Sequence, residues 1–319
     1  MESTRRHFLG ASAGTAVSAL SQPPKSSRPA GPRFFVASVT PVDRVGKLDE
    51  PLVRDLMAFF REQGVDGVLV LGTTGEFSAF SLAERKKILE SYMRVKGSLE
   101  AMCHIATPNL PETLELLEHA TGSGVDLALC LPPFYVKNPP QEGLERYFAA
   151  VLEKARIPVL VYNIPAMSGI TITHELLRKL ERYDKLYGVK DSTGKLESTT
   201  AYIQAFPKLK IFGGSSGILE PTLKIGAAGA ITANGNILAR ETAAVMRSFR
   251  EGKDASAALA RLDAVHKITG PFESISGMKY ALGLMGLREG CCRPPLVDVA
   301  ESRKAEIKAL VAQWKQLNA

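Results

Sequence analysis

Short apolar runs recur along this chain, each separated from the next by a longer amphipathic stretch, and that alternation constrains the fold more than any other feature. The runs are Phe34 to Thr40, Gly67 to Leu71, Ala101 to Ala106, Asp126 to Leu131, Pro158 to Tyr162, Leu186 to Lys190, Leu209 to Gly213 and Gly229 to Ile231. Recognisable helix starts lie between them. Asp49 precedes Leu52 to Gln63, Ser81 precedes Leu82 to Lys96, Pro111 opens Glu112 to Gly122, and a proline-rich turn leads into Glu142 to Ala155. Thr173 caps Glu175 to Arg182, and further helices begin at Lys195, Gly217 and Arg240. Eight β/α units in unbroken order predict an α/β fold, an eight-stranded parallel (β/α)8 TIM barrel. With 319 residues, 45% of them apolar, the chain has material for one such barrel, which commonly takes about 250 residues, and needs no second domain.

The expected organisation is an export signal and linker over 1–32, the barrel over 33–252 and a helical extension over 253–319. The extension reads as three helices, near Ala255 to Thr269, Ser274 to Leu287 and Ala300 to Leu317. At the N-terminus, Arg5-Arg6-His7-Phe8-Leu9 is followed by a mildly apolar, small-residue stretch from Gly10 to Leu20. That pattern resembles a bacterial twin-arginine signal, with Val17-Ser18-Ala19 as a cleavage site, and predicts export to the periplasm; a basic cytoplasmic tail is the alternative. The stretch is too short for a stable membrane span. Ser21 to Pro32, rich in Pro and Ser, reads as a linker.

Charge gives no reason to expect a nucleic-acid partner. The formal net charge is +7, of which Arg5, Arg6, Lys25 and Arg28 against Glu2 supply +3 before the barrel begins. The remaining basic residues are interleaved with acids, as on a solvated surface. Cys103 and Cys130 sit in apolar runs, while Cys291-Cys292 lack His or further Cys at metal-ligand spacing, so no metal site is expected. An oxidising compartment would permit a disulfide, but no pairing can be chosen from the spacing.

In a parallel barrel the functional groups collect at the C-terminal ends of the strands, and the polar residues of this chain gather at those positions. Lys190 closes one apolar run and Tyr162 closes the run before it. A lysine at a strand end is ordinarily a solvated terminus, yet a buried lysine beside a tyrosine suits imine chemistry on a carbonyl. Gly72-Thr73-Thr74-Gly75-Glu76 follows the second run, and its hydroxyls and tightly turned backbone N–H groups can bind a small carboxylate. Phe134 and Tyr135 follow the fourth run, Gly214, Ser215 and Ser216 the seventh, and Asn234 the eighth.

These segments resemble, in order, the class I pyruvate-dependent aldolases and lyases that include dihydrodipicolinate synthase and N-acetylneuraminate lyase. The resemblance runs from about Arg33 to the C-terminus. It rests on Gly72-Thr73-Thr74-Gly75-Glu76, Pro132-Pro133-Phe134-Tyr135, Tyr162-Asn163-Ile164-Pro165 and Gly188-Val189-Lys190-Asp191-Ser192. It implies a Schiff base between Lys190 and C2 of pyruvate, whose protonated form withdraws electrons from C3 and stabilises an enamine. The attacking amine must be unprotonated, and desolvation favours the neutral form of a lysine. By the same resemblance Tyr162 shuttles protons, Thr74 binds the carboxylate and relays, Thr73 and Gly75 offer substrate contacts, and Ile231 lines the substrate site. Tyr135 would reach into a neighbouring subunit of a tetramer or dimer. No further cofactor is implied, because the lysine itself supplies the electron sink.

The partner aldehyde is read from departures within the family. Dihydrodipicolinate synthases carry an arginine after Tyr-Asn-x-Pro to hold the carboxylate of aspartate semialdehyde, whereas this chain has Met167, which cannot make that bidentate contact. Sialic-acid lyases place acids after the seventh strand, where this chain has Gly214-Ser215-Ser216-Gly217. Ser192, two residues beyond the lysine, resembles the keto-deoxy sugar-acid and hydroxy-oxoglutarate aldolases. With Ser215 and Ser216 it can hydrogen-bond a hydroxylated substrate, though serines also serve as ordinary helix caps. The expected reaction is cleavage of a small 2-keto-4-hydroxy acid, such as a 2-keto-3-deoxy sugar acid or 4-hydroxy-2-oxoglutarate, into pyruvate and an aldehyde. Dihydrodipicolinate synthase is the alternative within the class, and a non-catalytic keto-acid-binding protein the alternative outside it.

Overall fold

The computed structural model describes residues 31–317. The segment expected to be a twin-arginine signal, with its expected cleavage site, and almost all of the expected linker lie outside the described residues. Eight parallel strands, β1 (Arg33–Ala37), β2 (Gly67–Val70), β3 (Glu100–His104), β4 (Leu127–Cys130), β5 (Val159–Asn163), β6 (Leu186–Asp191), β7 (Lys210–Gly213) and β8 (Gly229–Thr232), pair in chain order. β8 then pairs with β1, closing a TIM barrel. Nearly every strand residue is buried, which accounts for continuous apolar runs rather than alternation.

The covering helices are α1 (Glu50–Glu62), α2 (Leu82–Val95), α3 (Leu110–Gly122), α4 (Gln141–Lys154), a four-residue α5 (Pro165–Ser168), α6 (His174–Leu180), α7 (Leu196–Ala205), α8 (Leu219–Lys224) and α9 (Ala239–Arg250). Their starts follow the capping chemistry of the sequence. Asp49 accepts from Leu52 N–H, Thr173 accepts from Leu176 N–H, and Ser81 forms a reciprocal capping box with Glu84. Two starts differ from expectation. α3 begins at Leu110 and not at Glu112: Asn109 caps it by accepting from Glu112 N–H, and Pro111 opens it as expected, in the first turn, where its missing N–H has no partner to lose. After β7 the chain makes a 3-10 turn over Ser216–Ile218, and α8 begins only at Leu219.

Beyond α9, α10 (Ser256–Thr269), α11 (Ile275–Leu284) and α12 (Glu301–Leu317) form the C-terminal extension. α12 carries Ile307, Val311 and Trp314 into the core, and α10 buries Leu262, Val265 and Ile268. The extension also grips the barrel mouth. Lys279 of α11 is 2% exposed and pairs with Glu76, 4% exposed, of the loop after β2. Among the described residues no helix is long and apolar enough to cross a membrane.

Candidate active site

The β5–β6 register sets Tyr162 directly beside Lys190 and Asn163 beside Asp191. One buried hydrogen-bond network fixes both strand ends. Asp191 Oδ1 accepts from Asn163 Nδ2 at 2.9 Å, and its Oδ2 accepts from Thr199 Oγ1 at 2.9 Å and Thr193 Oγ1 at 3.0 Å. Asn163 in turn accepts from Ile172 N–H on its side chain and from Ser192 N–H on its carbonyl. Four neutral donors satisfy the Asp191 carboxylate and hold the backbone on either side of the lysine.

Lys190 is 3% exposed, and its Nζ lies 4.1 Å from the Tyr162 ring centroid. Burial pushes the Tyr162 phenol up, but the Lys190 charge and hydrogen bonds with Ser192, Lys190 and Thr73 outweigh it, so the phenol titrates below its ordinary range. Ser192 Oγ sits 3.5 Å from the phenol oxygen. Lys190, Tyr162, Thr73, Thr74, Ser192, Ser215, Ser216 and Ile231 all line one cavity of about 450 Å³ at the C-terminal end of the barrel. Two expected site residues lie elsewhere. Gly75 sits behind the cavity wall, where its carbonyl accepts from Thr40 Oγ1 at 2.7 Å and a Cβ would come 3.0 Å from Leu71 Cα. Tyr135 is 82% exposed on the loop after β4 and does not line its own chain's cavity.

The Thr73–Thr74 turn is anchored from behind. Leu71 and Glu76 adopt left-handed φ values of 57° and 54°, a conformation non-glycine residues hold only under external constraint. At Glu76 the constraint is evident, because the carboxylate accepts from Lys279 Nζ and, at 3.0 Å, from Arg293 N–H. Arg293 also donates to the Gly46 and Ala79 carbonyls and to Glu84. A second, more apolar cavity of about 290 Å³ shares Thr73 and is bordered by Phe77, Phe134, Met167 and Leu296. Met167 is 64% exposed and lines this second cavity, not the one that holds Lys190.

The family model for the dihydrodipicolinate synthetase family matches residues 31–314. This chain belongs to the dihydrodipicolinate synthetase family. Membership makes it an enzyme of the carbon–carbon lyase class. It is 32% identical over 290 residues to a 4-hydroxy-tetrahydrodipicolinate synthase of Synechococcus sp., a match spanning 89% of this chain and 95% of the relative. A probable 2-dehydro-3-deoxy-D-pentonate aldolase of Escherichia coli is 31% identical over 280 residues, spanning 84% and 92% of the two chains. Among solved structures, that of Escherichia coli YagE in complex with pyruvate superposes with a TM-score of 0.81 at 28% identity, covering 89% of this chain and 98% of that one.

This dihydrodipicolinate synthetase family member brings further groups to the site that its sequence did not announce. Thr193, Gly194 and Glu273 line the Lys190 cavity beside the expected Asn234, and Glu273 arrives from the distant extension, a placement no local pattern encodes. His104, at the end of β3, is buried and held neutral. Burial, the Arg85 guanidinium and the Lys190 charge all push its imidazole well below the usual range. Arg85, itself buried, donates to the His104 and Ala106 carbonyls at 2.7 and 3.1 Å, and burial brings its guanidinium down to about 10. A histidine inside an apolar run was the visible signal for that pair.

Proposed function

We propose that the enzyme is a Schiff-base-forming, pyruvate-dependent class I aldolase that reversibly cleaves a small 2-keto-4-hydroxy acid. The observation that carries this reading is the Lys190–Tyr162 pair, buried side by side at the base of a polar cavity. Lys190 Nζ attacks the C2 carbonyl, water leaves, and the protonated imine becomes the electron sink. Loss of the C4 hydroxyl proton then breaks the C3–C4 bond, releasing the aldehyde and leaving the enamine. Protonation at C3 and hydrolysis return pyruvate and free lysine. Tyr162 is the group positioned to carry these protons, since its oxygen contacts Lys190, Thr73 and Ser192. Thr73 and Thr74, with the backbone N–H groups of their turn, hold the carboxylate. The lysine supplies the electrophilic chemistry, so the scheme needs no metal or added cofactor.

Two observations support a keto-deoxy sugar-acid type of substrate over dihydrodipicolinate synthesis. Met167 occupies the position of the synthases' arginine and its side chain lies outside the Lys190 cavity. The likeness to a pentonate aldolase adds weight. If this assignment is right, Met167→Arg improves the use of aspartate semialdehyde with pyruvate; an unaltered rate removes the argument.

Tyr135 completes the relay from a second subunit in this proposal. Tyr135 and Val136 are exposed at 82% and 61%, and Met167 and Leu296 on the rim of the second cavity are exposed too. An uncovered apolar surface of this kind suits subunit association. Specific activity that falls on dilution in step with loss of a dimer or tetramer supports a shared site; activity constant per chain down to the monomer rules it out. The proposed periplasmic location rests on Arg5-Arg6, and mass measurement of the N-terminus of protein from a periplasmic fraction tests it.

A further inference from the structure

Two polar side chains that the proposed cycle does not use line the Lys190 cavity. Asn234, just after β8, is 5% exposed, and its Oδ1 is buried with no hydrogen-bond partner among the described residues. Glu273, between α10 and α11, lines the same cavity from the C-terminal extension. Its Oε1 accepts from Thr269 Oγ1 at 3.1 Å and lies 3.2 Å from His266 Nε2, while Oε2 accepts no hydrogen bond among the described residues. One oxygen is thus fixed by its neighbours and the other is left for a ligand.

We propose that Glu273 and Asn234 form a specificity subsite that selects a neutral, hydroxyl-bearing aldehyde over an aldehyde carrying a carboxylate. The inference rests on the aldolase reading and sharpens it. A substrate hydroxyl can donate to the Glu273 oxygen that no neighbour engages and can bond the amide of Asn234, which otherwise lines the cavity without a partner for its oxygen. A carboxylate has no proton to donate and sets its charge against that of Glu273. An ammonium substituent is disfavoured too, because the protonated imine at Lys190 shares the cavity. Ser192, Ser215 and Ser216 donate or accept equally well, so they do not discriminate by themselves. The subsite therefore separates two expected substrate kinds, accepting the keto-deoxy sugar acids and rejecting 4-hydroxy-2-oxoglutarate.

The test compares kcat/KM for condensing pyruvate with glyceraldehyde, propanal and glyoxylate, in parallel with borohydride trapping of pyruvate. The wild-type enzyme is expected to prefer glyceraldehyde to propanal. Glu273→Ala and Asn234→Ala should each lower that preference about tenfold, about 1.4 kcal/mol. Glu273→Gln, which keeps the shape and removes the charge, should raise the glyoxylate-to-propanal ratio about tenfold, an effect absent from Asn234→Ala. Ratios that stay constant across the variants, or a wild-type enzyme indifferent to the hydroxyl, overturn the subsite. Wild-type protein that traps no pyruvate overturns the aldolase reading and the subsite with it, whereas trapping with constant ratios removes the subsite alone.

Discussion

Lys190 and Tyr162 have divided tasks in the proposed cycle, and the division predicts different failures. Tyr162→Phe keeps the lysine and the cavity but removes the proton carrier. Turnover should fall by about 10² or more while slow capture of pyruvate persists. Loss of capture as well would mean that the phenol builds the site and does not merely relay protons. The cysteines give a contrasting prediction. Burial pushes the Cys103 and Cys130 thiols up to about 12, as it does Cys292, and Cys291 is raised as well. Native protein should therefore react slowly with a thiol reagent at pH 8, and all four cysteines should titrate rapidly once it is unfolded. A fast-reacting Cys103 or Cys130 in native protein would contradict the burial of β3 and β4.

At the scale of the elements, the strand and helix pattern was legible because buried parallel strands are apolar throughout and the helix caps are local side-chain devices. Asp49, Ser81 and Thr173 announced their helices for that reason. The late start of α8 and the short α5 were not legible, since turns of three or four residues carry too little periodicity to be seen. Close approaches between strands were hidden as well. A Cβ at Gly188 would lie 1.9 Å from the Lys210 carbonyl oxygen, and only the paired structure reveals it. Gly188→Ala should force β6 and β7 apart and destabilise the protein by about 2–3 kcal/mol or more, measurable by urea unfolding; a neutral effect would contradict the register that places Lys190. The contact between α2 and the extension adds a pH dependence. The hydrogen bond from Arg293 holds the Glu84 carboxyl down to about 2 from an ordinary 4.5. A depressed carboxylate stabilises fully above 4.5 and loses its contribution as pH falls towards 2. Wild-type protein should lose stability over that window, and Glu84→Gln should lose less.

For the whole molecule, the sequence indicated the rim but not what the extension does there. The motif residues were readable because chain order maps onto strand ends in a closed barrel. Lys279, Arg293 and Glu273 were not, because each meets its partner across about two hundred residues or through the folded mouth. The extension both clamps the Thr73–Thr74 turn through Glu76 and lines the cavity through Glu273, so the barrel and its C-terminal helices act as one unit. The chemistry proposed for this unit is imine formation at Lys190. It is tested most directly by incubating the protein with pyruvate and borohydride and locating the adduct by peptide mass spectrometry. The prediction is one reduced pyruvate adduct on Lys190, absent from Lys190→Ala. Folded wild-type protein without an adduct, or with the adduct on another lysine, would contradict it.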